Sequence, residues 1–177
     1  MRWDALFTDM ELQLESAAAQ ELAAEVADRT RTERATVLLA DRLRACLGDE
    51  LSVVVRSGAT VLGEVRDVSP SWVVLTRAQR EHLVPLSAVA SISGLRSSSA
   101  PPADAVLRRL GLGHALRAVA RDRSVVRVVA GGALHQGRVE VVGADHLELA
   151  VTFDDTARPT GVSVVLTFEG LEVLSTS

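Results

Sequence analysis

All 19 basic side chains in this 177-residue chain are arginines. A guanidinium offers a rigid fork of donors that suits phosphate oxygens, so arginine clusters are the first places where chemistry could reside. Arg29, Arg31 and Arg34 fall on or near one helical turn. Arg108, Arg109, Arg117 and Arg121 lie in residues 96–121, which hold five Arg against one acidic residue. Phosphate contact is one reading of each cluster. The other is a solvated helix face paired with neighbours such as Glu33 or Asp41, and it is favoured for Arg29–Arg34. A formal net charge of −4 argues against strong non-specific nucleic-acid binding.

Catalysis has little to build on. His82, His114, His135 and His146 are scattered, and none stands at metal-ligand spacing from Cys46 or from paired carboxylates. His135 and His146 could approach each other across adjacent strands, although exposed strand histidines explain them equally well. No nucleophile motif, Walker loop or dinucleotide fingerprint is present. Asp154-Asp155 reads as a solvated loop tip and Ser97-Ser98-Ser99 as a spacer. The expectation is a non-enzymatic protein with no catalytic residue, no metal and no cofactor.

The elements that position these residues come in two copies. Gly58–Val68 aligns without a gap against Gly132–Val142, always 74 positions later, and Leu43-Arg44-Ala45 recurs upstream as Leu116-Arg117-Ala118. Such a fixed offset reads as an internal duplication. In the first copy, short strands are expected at Leu51–Arg56, Thr60–Val68, Trp72–Thr76, Glu81–Pro85 and Ala88–Ser93. In the second they are expected at Val125–Ala130, Leu134–Val142, His146–Thr152, Gly161–Phe168 and Leu171–Leu174. The chain therefore divides into a helix or helical hairpin over 1–47, a first set of strands over 48–95, a linker and helix over 96–121, and a second set over 122–177. The predicted fold is α+β, with two small five-stranded barrels joined by a helix-containing segment.

The helical region carries Leu6, Met10, Leu14, Ala18, Leu22 and Val26 at four-residue spacing, an apolar stripe that has to be buried somewhere. Leu6, Met10, Leu14, Leu22 and Val26 are accordingly candidates for contact with a partner protein or a second copy. The thiol of Cys46 has no partner for a disulfide within the chain. No charged segment followed by an apolar run opens the sequence, and no apolar stretch reaches about 18 residues. A cytoplasmic location without a membrane partner follows as an expectation.

Leu51–Gly58, Val61–Val65, Val73-Val74-Leu75 and Ala88–Ile92, after a preceding helix, resemble the Sm/LSm fold, in particular its Hfq-like bacterial branch. The likeness covers about Ala40–Leu95, and more weakly His114–Leu174. It implies RNA as a partner and a regulatory role, with Trp72 near the position where that family stacks an aromatic on a base, worth roughly 1–3 kcal/mol per base. Packing of Trp72 into the core is the competing assignment. Where the family supplies a Tyr-Lys-His stretch, this chain has Pro85-Leu86-Ser87, so the Lys-His pair is missing. Strand-edge pairing closes the rings of that family, and Pro85, without an amide donor, weakens pairing at its position. A homodimer or small homo-oligomer, held by the N-terminal helix or by barrel edges, is expected; the function implied is an RNA-binding regulator, with an assembly module that has lost the RNA site as the alternative.

Overall fold

The computed structural model describes residues 20–22, 25, 26, 28, 35–100, 111–153 and 158–176. The chain divides into two compact units, Met1–Leu38 and Leu39–Ser177. In the first, the described residues 20–22, 25, 26, 28, 35 and 36 are helical, and Val37 and Leu38 leave the helix. Leu6, Met10, Leu14, Arg29, Arg31 and Arg34 lie outside the described residues. No described helix is long and apolar enough to cross a membrane.

The second unit runs α1 (Leu39–Arg44), β1 (Glu50–Val55), β2 (Thr60–Val68), β3 (Trp72–Arg77), β4 (Arg80–Pro85), a single 3-10 turn (Leu86–Ala88), β5 (Val89–Ser93), α2 (Leu112–Asp122), β6 (Val126–Ala130), β7 (Ala133–Val142), β8 (His146–Phe153), β9 (Arg158–Thr167) and β10 (Leu171–Thr176). Alternation builds the strands. Leu51, Val53 and Val55 of β1 point inward while Ser52 and Val54 stay half-buried. Gly48 closes the turn after α1 with φ of 83°, a left-handed conformation that glycine adopts without a Cβ penalty.

The expected pair of separate five-stranded barrels is not what forms. The strands make one ten-stranded antiparallel sheet in the order β5-β1-β2-β3-β4-β10-β6-β7-β8-β9. The two halves are fused where β4 pairs with β10, through Leu83 opposite Leu174 and His82 opposite Ser175. An outer strand leaves a row of backbone donors and acceptors open, and pairing two such rows satisfies both. Pro85 does not prevent this, because it sits at the end of β4 opposite Trp72, beyond the paired positions. Each half keeps a core of its own, yet the cores trade residues: Val173 of β10 joins the first, and Trp72 and Leu83 join the second.

The duplication is visible in the backbone. β2 shifts register between Val65 and Asp67, and β7 does so between Val139 and Val141, again 74 residues later. Both shifts follow a glycine that lets two strands come close. A Cβ on Gly63 would lie 2.9 Å from the Thr76 carbonyl oxygen, and one on Gly137 only 2.1 Å from that of Ala150.

Candidate functional site

Trp72 opens β3 and is 7% exposed, packed with Leu83, Leu116 and Leu174, so little of its ring is open to a base. Arg108 and Arg109 lie outside the described residues. Arg117 and Arg121 are exposed on α2, whose other face buries Leu116 and packs Leu112 and Val119 on the second core. Together with Arg123, which the sequence reading passed over, they line an open hollow of about 500 Å³ shared with Ala120, Glu140 and Val142. Arg123 reaches it because the chain turns left-handed there, with φ of 57°, to end α2. Leu22 and Val26 of the first unit are 62% and 55% exposed.

The histidines do not gather. His135 is near the start of β7 and His146 at the start of β8, and the register Gly137↔Val151 to Val142↔Leu147 places them toward opposite ends of that hairpin. His146 Nδ1 instead meets Asp145 Oδ1 at 2.8 Å. That hydrogen bond lowers the Asp145 pKa. His82 lies on the seam, its Nδ1 2.8 Å from the Ser175 hydroxyl, and burial together with the nearby Arg80 charge lowers its pKa. Among the described residues, no group of three or more His, Cys, Asp or Glu side chains is placed to hold a metal ion.

A second tie across the halves was hidden in the sequence. Glu172, in the apolar strand β10, is 3% exposed and accepts the Ser57 N–H at 3.0 Å from the turn between β1 and β2. The neighbouring Arg56 guanidinium donates to the Glu169 carbonyl. Burial pushes the Glu172 pKa up, but hydrogen bonds from Ser57, the Arg56 charge and a hydrogen bond from the Gly132 backbone outweigh it, so the net direction is downward. A lone glutamate within Leu171–Leu174 was the available signal.

Two further hollows flank the seam. One, of about 340 Å³, lies between α2 and the strands, with Trp72, Val74, Leu83, Val119 and Leu174 among its walls and the exposed Asp67, Glu81 and His114 among its polar groups. The other, of about 550 Å³, is polar and shares Glu81 and Thr176 with the first. No family model matches this chain. No curated protein matches it significantly.

Proposed function

We propose that this chain is a non-enzymatic cytoplasmic assembly module, akin to Sm-type proteins in using strand edges, that joins copies of itself edge to edge. The seam carries this reading. Each half lays its strands in the same spatial order, β5-β1-β2-β3-β4 and β10-β6-β7-β8-β9, and the chain joins the last strand of one set to the first of the other. The sheet consequently ends in β9 and β5, the counterparts of the two strands that already pair inside the chain. A contact between unlike edges is head-to-tail, and it propagates into a ring or a filament.

Register shifts interrupt both edge pairings, at Val54/Val55 beside β5 and at Ala150/Thr152 beside β9, but the other blunting devices are sparse. Apart from Arg158 and Pro159 at its start, β9 has no charge and no proline, and its Val162 and Val165 are 56% and 61% exposed. β5 carries neither charge nor proline. Light scattering at high micromolar concentration is expected to give an oligomer. Val162→Lys/Val165→Lys on one edge, or Ala90→Pro on the other, should reduce it to single chains, while deletion of Met1–Thr30 should leave the number of chains per oligomer unchanged. A wild-type monomer, or an oligomer lost only on that deletion, overturns the reading; the second result moves the contact to the Leu22 and Val26 helix.

One observation favours a second reading, an RNA-binding regulator: Arg117, Arg121 and Arg123 converge on one hollow. On that reading, affinity for short U-rich and A-rich RNAs falls steeply with salt, and Arg117→Ala/Arg121→Ala weakens both similarly and flattens the salt dependence. Salt-independent affinity, or a double variant that binds as the parent does, counts against it.

A further inference from the structure

The cavity beside Trp72 serves neither of these readings. Its volume of about 340 Å³ lies within the range of small-molecule sites, which pair an apolar wall with a few placed polar groups. Its walls come from both halves of the chain: Trp72, Val74 and Leu83 from the first, Val119 and Leu174 from the second. A ligand there would contact the seam itself.

The polar groups select the sign of that ligand. Asp67 and Glu81 are exposed carboxylates, and no arginine lines the cavity. The adjoining polar hollow adds Glu64 and Asp122 against Arg66 alone. It is also lined by Thr76 and Ser124, whose hydroxyl oxygens are buried without a hydrogen-bond partner among the described residues. Buried hydroxyls normally find partners. An anion would meet carboxylates, whereas a cation gains them.

We propose that this cavity binds a small organic cation, with its apolar body against Trp72, Leu83 and Val119 and its ammonium group facing the Asp67 and Glu81 carboxylates. The cation bridges the two halves and favours the paired state of β4 and β10, because binding to one state alone shifts the equilibrium toward it.

The test compares two probes of one shape and opposite charge, phenethylamine and 3-phenylpropionate, titrated into the full chain and followed by amide and indole chemical shifts. Saturable shifts are expected at Trp72 and Val119, with the amine preferred by about tenfold, which is ~1.4 kcal/mol. Asp67→Asn/Glu81→Gln, which leaves side-chain volume unchanged, should remove that preference, and Ala118→Phe should fill the cavity and abolish the shifts. Should the phenylalanine variant fail to fold, the isosteric pair still decides. Equal binding of the two probes, undiminished amine binding by the isosteric pair, or no saturable shift with millimolar phenethylamine overturns the proposal.

Discussion

Gly137→Ala is expected to destabilise the sheet more than any other single added methyl group at a glycine. The new Cβ would stand 2.1 Å from the Ala150 carbonyl oxygen and 2.8 Å from its carbon. These are backbone atoms of a strand held on both sides, so neither can swing away like a side-chain tip. Forcing extra volume into a well-packed site costs about 1–3 kcal/mol, sometimes more, and this contact belongs at the top of that range. Gly63→Ala meets the Thr76 carbonyl at 2.9 Å and should cost less. Gly111→Ala has nothing within 4 Å and serves as the control. Guanidinium melts should rank the midpoints control, then position 63, then position 137; any other order contradicts the strand approach described above.

Glu172→Ala should produce the next largest loss. It removes the carboxylate that accepts the Ser57 N–H, and a hydrogen bond to a charged group contributes about 1.5–3 kcal/mol. In a chain of this size each kcal/mol lowers Tm by roughly 2–4 °C. The pH dependence has a definite sign. The folded-state pKa of Glu172 lies below its ordinary 4.5, so its contribution is fully present above that value and is lost as pH falls through the lowered folded-state pKa. Glu172→Gln should therefore trail the parent at neutral pH and approach it in acid. A constant gap between the two at every pH would show that the carboxylate charge plays no part.

Much of the sheet is legible in local pattern. Strands β2 and β3 begin at Thr60 and Trp72, where turn residues give way to alternating or continuous apolar positions. Gly63 and Gly137 stand at matching places in the repeat, but that each marks a close strand approach follows only from the carbonyls of Thr76 and Ala150 opposite them. The partner of β4 is different in kind. His82 and Ser175 are 93 residues apart, and nothing local in either strand names the other. Alternation tells which face of a strand is buried but not which edge is covered, so two closed modules and one continuous sheet read alike. The arginine hollow was half legible for a similar reason: Arg117 and Arg121 share a helix face, whereas Arg123 joins them only through a left-handed residue at the helix end. Trp72 is buried because it serves the other half's core, a cross-assignment that the duplicated pattern does not encode.

The distance along the chain between β4 and β10 also shapes events during synthesis. The first half can set most of its core, all but Val173, once β5 has left the ribosome, at which point β4 presents an open row of backbone groups. That row waits through all of β6–β9 before its partner emerges, because β10 is the last strand of the sheet. At about 5–20 residues per second, a gap of 93 residues lasts roughly 5–20 s. Throughout that interval the open edge on one nascent chain can capture the newly finished β10 of a neighbour on the same messenger, so crowded translation lets strand exchange compete with the intramolecular seam.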